Sequence, residues 1–381
     1  MGEEHQERDH DPIADLIVTY NELNSSFIEE LHEEPSALEF MRFVARNTPF
    51  VVRGGAANWK ATQTWTAEYL SNFLGDETVN VAVTPFGNAD APTVHPKTGG
   101  LVFAKPHEED QSFSDFLTYV IHQEKTQGLR KSEVRYAQTQ NDNLRQEYSS
   151  LYSAVPPTIP WARIALSDPH RLGPDEEAQP EAINLWIGNS LSTTALHKDN
   201  YENVYVQIRG RKHFVLLPPH CLPCVNEREL ESGGYVRRKK QKKENRDEEG
   251  DENGEEEEIG DEGGLELVME KDPETGKEVT VPFVIWDPDK PEENATRYSK
   301  LAEPMRVTLE EGDMLYLPAM WYHKVSQSCS QEGICVAVNY WYDMDFTGPL
   351  YPFTSFVRAV NQQQQQQQHD KKNEELPLDD K

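Results

Sequence analysis

Hydrophobic and polar positions along this chain change their period once, from helical spacing near the start to short strand-like runs. From Pro12 to Leu23, and again from Phe27 to Leu31, apolar residues recur near helical spacing, which predicts one or two helices at the start. A further helix is predicted to open at Pro35-Ser36-Ala37-Leu38-Glu39-Phe40-Met41, with Pro35 suited to its first turn. Pro49 to Gly55 then reads as a strand and a turn, and Trp59 and Trp65 behind it as core residues. Beyond these the apolar runs are short: Ile183 to Gly188, Val204 to Ile208, Phe214 to Pro219 and Met314 to Pro318. Short strands punctuated by Gly, Pro and Asn argue for an antiparallel barrel or a double-sheet jelly roll. The expected class is mainly β, with flanking helices and the N-terminal helices first.

One stretch within this pattern carries chemistry. In an extended segment side chains alternate, so His197 and Asp199 project to the same side, roughly 7 Å apart at Cα from the ~3.3 Å rise per residue. His323, at the end of Leu317-Pro318-Ala319-Met320-Trp321-Tyr322-His323, can complete a metal site with them. Both histidines fall at strand ends, where a barrel can gather them. Two imidazoles and one carboxylate on one face of an ion leave octahedral positions open, the arrangement of non-haem iron oxygenases. His-x-Asp alone is common by chance, and two surface histidines unrelated in space are the plain alternative.

The order His197-x-Asp199, then Lys212 in Arg209-Gly210-Arg211-Lys212-His213-Phe214, then His323, then Ala337-Val338-Asn339-Tyr340-Trp341-Tyr342, resembles a JmjC domain. It is most similar to the small cupin-fold protein hydroxylases, the (3S)-lysyl hydroxylases among them. The resemblance covers roughly residues 40 to 355, broken by one insertion, and implies a double-stranded β-helix. It implies that His197, Asp199 and His323 hold Fe(II), and that Lys212 pairs with the distal carboxylate of 2-oxoglutarate. Thr194 and Tyr136 match hydroxyl positions that contact the same carboxylate, and Asn203 and Asn339 match polar groups near the metal. Ordinary barrel packing is the alternative for Tyr136, Thr194 and Asn203, and a solvated charge for Lys212. The cosubstrates implied are 2-oxoglutarate and O2, with succinate as product. The implied substrate is a protein lysine, on a ribosome-associated GTPase of the developmentally regulated family, oxidised at the β-carbon. Glu202, Asp343 and Asp345 are candidates to attract its ammonium group. No zinc-finger or chromatin-reader pattern accompanies the motifs, so histone lysine demethylation is the weaker alternative. A non-catalytic acidic scaffold is another. No Ser or Cys nucleophile motif supports peptidase chemistry.

Composition narrows the remainder. A formal net charge of −30 disfavours nucleic acid as a direct partner, since phosphate binding needs clustered Lys and Arg. Much of the acid lies between Glu244 and Glu262, after the basic run from Arg237 to Lys243. Blocks of like charge are usually solvated. The expected organisation is a helical extension at 1–45, a catalytic domain at 46–358 with a disordered insertion at about 231–279, and a disordered Gln-rich tail at 359–381. Cys221, Cys224, Cys329 and Cys335 are too few for a disulfide framework, and Cys221-x-x-Cys224 without a second pair reads as structural. No apolar leader follows Met1, Gln6 denies the usual myristoylation pattern, and no run approaches the ~18 apolar residues of a membrane span. A reducing, cytoplasmic setting is expected, with the basic run a candidate for nuclear import. A homodimer is left open.

Overall fold

The computed structural model describes residues 11–126, 133–167, 177–238 and 264–374. Eight strands build a jelly roll of two facing sheets. One sheet places Met314–Leu317, Tyr201–Arg209, Cys335–Asp343 and Ala182–Gly188 side by side, and the other Met305–Leu309, Arg211–Leu217, Tyr322–Ser328 and Thr194–His197. Consecutive strands alternate between the sheets in part, so residues far apart in the chain meet in the space between them. The main apolar core lies on the outer side of the first sheet, where Val204, Val206, Tyr316, Val338 and Tyr340 pack against helices. A second cluster, including Tyr205, Phe214, Leu216 and Leu315, fills the interior between the sheets.

The N-terminal expectations hold only in part. Pro12–Leu23 is a helix, capped by the Asp11 carboxylate, which accepts from the Ile13 and Ala14 amides. Phe27 to Leu31 does not continue it. Glu29–Leu31 is a strand lying parallel to Phe50–Val52, which extends the first sheet at its edge. Five residues cannot meet the cost of nucleating a separate helix, whereas a sheet edge offers immediate backbone partners. The next helix is Ala37–Arg46, and Ser36 caps it through a reciprocal bond with Glu39, so Pro35 precedes the cap instead of occupying the first turn. Phe40 and Phe43 on this helix pack on Phe50, and Phe40 on Trp161 and Tyr316, so the expected boundary at residue 45 falls inside an element of the main core. Trp65 is fully buried, and Trp59 packs edge-on against Tyr340.

Two segments expected to be disordered are ordered over part of their length. Of the insertion, residues 239–263 lie outside the described residues, but both flanks are strands. Glu227–Arg237 pairs with Leu265–Met269 and Thr280–Val284, and runs parallel to Leu101–Lys105. Arg237, counted in the basic run, bridges Glu109 at 3.0 Å and Glu133 at 2.5 Å. The tail is helical over Leu350–Glu374, with residues 375–381 outside the description. Glutamine is a good helix former, and Thr354, Val357 and Asn361 are buried, giving the helix a docked face that propensity alone does not supply. Cys221 and Cys224 are buried in the turn Pro219–Cys224, within an apolar cluster that includes Ile13 and Ile17. Among the described residues no helix is long and apolar enough to cross a membrane.

Candidate metal centre

Three side chains meet between the two sheets. The strand Thr194–His197 ends on His197, and Asp199 follows in the connection to Tyr201–Arg209. His323 is second in Tyr322–Ser328 and stands directly opposite His197 in the antiparallel register. That register is irregular between His323 and Val325, and such an irregularity bends a strand and re-aims a side chain. The imidazole centroids are 4.1 Å apart. Asp199 Oδ2 is 3.8 Å from His197 Nε2 and 3.7 Å from His323 Nε2, and one potential ligand atom from each residue lies within 4.8 Å of the others.

The backbone selects which ring nitrogen faces inward. His197 Nδ1 is 2.8 Å from the Ala195 carbonyl and His323 Nδ1 is 3.1 Å from that of Trp321. A carbonyl oxygen can only accept, so Nδ1 carries the proton and Nε2 keeps its lone pair for a metal. Burial first, then the neighbouring His197, pulls His323 down to about 4, so it is neutral and ligand-ready at physiological pH.

The turn that delivers His323 is held on three sides. Met320 N donates to the Asp199 carbonyl at 2.7 Å, tying the turn to the other ligand segment. Ala319 N donates to the Glu202 carboxylate at 3.2 Å, and the Tyr316 hydroxyl donates to the same carboxylate at 2.6 Å. Asn47 Nδ2 donates to the Ala319 carbonyl at 3.1 Å, and Trp321 Nε1 donates back to Asn47. Met320 adopts a left-handed φ of 68°, a conformation that costs a non-glycine residue roughly 1–3 kcal/mol and persists only where its surroundings over-determine it.

Beside the triad lies a cavity of about 440 Å³ including its mouth. All eight site residues expected from the sequence line it: Tyr136, Thr194, His197, Asp199, Asn203, Lys212, His323 and Asn339. Lys212, only 3 % exposed, donates from Nζ to the Tyr136 hydroxyl at 2.7 Å and lies 5.2 Å and 5.9 Å from the ring centroids of Tyr136 and Tyr205. Among the described residues it has no carboxylate at ion-pair distance. Burial drags it down to about 8. Gly188 lets the Tyr136 ring approach, since a Cβ there would sit 2.5 Å from it. Trp186 Nε1 donates to Asn339 Oδ1 at 2.8 Å, and Asn339 Nδ2 donates to Asn203 Oδ1 at 3.2 Å, which orients both amides.

A cupin-like domain model matches residues 35–348. The chain belongs to the cupin-like JmjC oxygenase family. It is 33 % identical over 342 residues to the lysine-specific demethylase JMJ32 of Arabidopsis thaliana, covering 87 % of this chain and 86 % of that protein. It is 32 % identical over 319 residues to the bifunctional peptidase and (3S)-lysyl hydroxylase JMJD7 of Homo sapiens, covering 83 % and 84 %. It is 31 % identical over 344 residues to JmjC domain-containing protein E of Dictyostelium discoideum, covering 87 % and 88 %. JmjC oxygenases use Fe(II), 2-oxoglutarate and O2, and the side chains here suit those groups. Two imidazoles and a carboxylate fit a divalent iron, and a buried ammonium with no carboxylate partner among the described residues fits a dianionic 2-oxo acid.

Some residues were placed differently or missed. Glu202, expected to attract a substrate cation, is instead buried and bound to Tyr316 and Ala319. Strand alternation turns it away from the cavity that its neighbour Asn203 lines. Asp345 is exposed and closes a local turn onto Thr347. Asp343 is exposed opposite Tyr201, whose ring stacks 4.9 Å from that of the cavity-lining Trp341. Trp186, Gln140 and Trp341 line the cavity without having been singled out. Trp186 sits in a run whose only polar residue is Asn184, too little alternation to mark which side faces inward.

Proposed function

We propose that this JmjC protein is an Fe(II)- and 2-oxoglutarate-dependent hydroxylase acting on a lysine of a protein substrate. The observation that carries the reading is Lys212, a buried cation without a carboxylate partner among the described residues, on the wall of the cavity that holds the His197–Asp199–His323 donors. In this reading the two Nε2 atoms and the Asp199 carboxylate hold the metal. Lys212, with the Tyr136 and Thr194 hydroxyls, takes the distal carboxylate of the cosubstrate. A charge-assisted contact of this kind contributes about 1.5–3 kcal/mol. Asn203 and Asn339, locked by Trp186, orient what binds beside the metal. Iron, 2-oxoglutarate and O2 together supply the oxidation: one oxygen atom ends in succinate as CO2 leaves, and the other converts a substrate C–H to C–OH.

Lysine is common to the names of the Arabidopsis demethylase and the human hydroxylase. The resemblance across Leu196 to Asn203 and Asn339 to Met344 favours hydroxylation of an unmodified side chain. The Arabidopsis relative gives the second reading, oxidation of an N-methyl group with release of formaldehyde. The test offers unmodified and methylated lysine peptides, including ones from GTPases of the developmentally regulated family, with Fe(II) and 2-oxoglutarate. Succinate and a gain of one oxygen atom on unmodified lysine are expected. Formaldehyde from methyl-lysine without that gain would make the protein a demethylase. No succinate with any peptide would favour an acidic binding scaffold.

A further inference from the structure

The cavity beside the metal donors has two chemically opposite ends. On the strand Cys335–Asp343, alternation gives Asn339, Trp341 and Asp343 one face, and on Tyr201–Arg209 it does the same for Tyr205, Asn203 and Tyr201. The register sets them opposite one another in that order, Asn339 with Tyr205, Trp341 with Asn203, and Asp343 with Tyr201. The first two pairs line the cavity, so the strip continues outward through Tyr201 and Asp343. Four residues at ~3.3 Å each place its ends roughly 13 Å apart.

Exposure rises and charge reverses along this strip. Buried Lys212 lies against Tyr205 at the inner end, whereas Tyr201 is half-buried and Asp343 exposed. At the outer end the carboxylates of Asp343, Glu181 and Asp199 are electrostatic neighbours of the Tyr201 hydroxyl. Asp343 and Glu181 have no cation at ion-pair distance among the described residues. Arg145 reaches the Glu181 backbone carbonyl, but its guanidinium is paired with Asp142 at 2.7 Å. Between these acids and the cavity lies an aromatic ledge, the Tyr201 and Trp341 rings stacked 4.9 Å apart at 11°. Trp341 is 7 % exposed, and its indole N–H has no partner among the described residues, so no side chain of the fold completes this part of the wall. An aromatic face beside carboxylates attracts a cation and disfavours an anion. The metal donors belong to this end: Asp199 comes two residues before Tyr201, and His323 stands four residues along its strand from Gln327, which pairs with Lys212.

Resting on the lysyl reading above, we infer that Tyr201, Trp341 and Asp343 form the outer subsite of this cavity and hold the ammonium group of the target lysine. The inner end takes the anionic cosubstrate and the outer end the cationic side chain, with the metal donors between them. An ammonium on the ledge leaves its alkyl stem to run past Trp341 toward the donors, so the carbon presented there is separated from the nitrogen by several bonds. A methylated ammonium held in the same place keeps its N-methyl carbons on the ledge and away from the donors. The subsite therefore favours oxidation of a side-chain carbon over removal of a methyl group.

The test measures binding, not turnover, on the full-length chain loaded with Zn(II) and 2-oxoglutarate. The probes are a lysine peptide from a GTPase of the developmentally regulated family and the same peptide with norleucine in place of lysine, which keeps the stem and deletes the charge. Calorimetric titration should find the lysine peptide bound roughly 2- to 30-fold more tightly, the range for a cation on an aromatic face. Tyr201→Leu and Asp343→Asn should each reduce that preference, and the double variant should abolish it. A separate titration with 2-oxoglutarate checks that the inner end of the cavity is intact in each variant. A preference for lysine that survives in the double variant overturns the subsite and leaves the lysyl reading standing. A parent protein that does not distinguish the two peptides overturns both. If the double variant no longer binds 2-oxoglutarate, Asp343→Asn, at an exposed position, decides alone: an undiminished preference there removes Asp343 and with it the subsite.

Discussion

Replacing Lys212 by methionine removes a charge while leaving most of the volume it fills. Burial lowers this lysine from 10.5 to about 8, which corresponds to roughly 3 kcal/mol against the charged form in the folded protein. The unfolded chain binds more protons between pH 8 and 10.5, so in the absence of cosubstrate stability rises with pH across that window, and below pH 8 the whole penalty is present. Lys212→Met escapes it. Against this gain stands the lost hydrogen bond to Tyr136, worth on the order of 1 kcal/mol. The metal-free variant should therefore be more stable than its parent at neutral pH, by about 1–2 kcal/mol. Its affinity for 2-oxoglutarate should move the opposite way, falling about 10- to 150-fold for a lost contact of about 1.5–3 kcal/mol. Urea unfolding of the metal-free protein and anaerobic calorimetric titration of the Fe(II) form measure the two effects. A variant that binds the cosubstrate as tightly as its parent, or that loses stability, would show that Lys212 serves the fold and not an anionic ligand.

Three further outcomes are expected. Because Lys212 loses its proton as pH rises through about 8, 2-oxoglutarate affinity of the Fe(II) protein should decline above that pH, and an affinity that climbs there contradicts the assignment. His197→Ala and Asp199→Ala should each fail to retain one divalent ion per chain through dialysis, and metal analysis finding full occupancy in both would dissolve the ligand set. Glu202→Ala strips the acceptor from the Tyr316 hydroxyl and the Ala319 amide, at roughly 1–3 kcal/mol for each buried donor left unmet; denaturant unfolding that finds no loss would remove Glu202 from the groups that brace the His323 turn.

The strand runs from Ile183, Val204, Phe214 and Met314 were legible because buried strands are short, apolar and bounded by turn formers. Pro12–Leu23 was legible for a similar local reason, its apolar spacing reinforced by an Asp and a Pro at its start. Phe27 to Leu31 was not, because five residues fit either period and the decision came from pairing with Phe50–Val52. Charge dominates the sequence of the insertion, yet Gly233–Arg237 finds its partner in Leu265–Met269 across the acidic block. Such a pairing leaves no mark in either segment alone. The glutamine run resembles a tail because low complexity carries no sign of a docking face, and that face is made by Thr354, Val357 and Asn361 just before it together with Gln364, which accepts from the Tyr298 hydroxyl.

By itself the sequence determined the residue types of the site and their order: an imidazole two positions before a carboxylate, a lysine on the next strand but one, and a distant second imidazole. Those are properties of the covalent chain, and metal and carboxylate chemistry constrains them tightly. Only the tertiary structure decided that His323 stands opposite His197, that both rings present Nε2, and that Lys212 lies buried without a countercharge among the described residues. It also turned Glu202 from a candidate for the substrate into a brace for the His323 turn. The facing of the two histidines and the bracing by Glu202 depend on register between segments more than a hundred residues apart, the ring orientations depend on local backbone carbonyls fixed by that register, and the free energy of a buried charge is set by surroundings that no local stretch of chain contains.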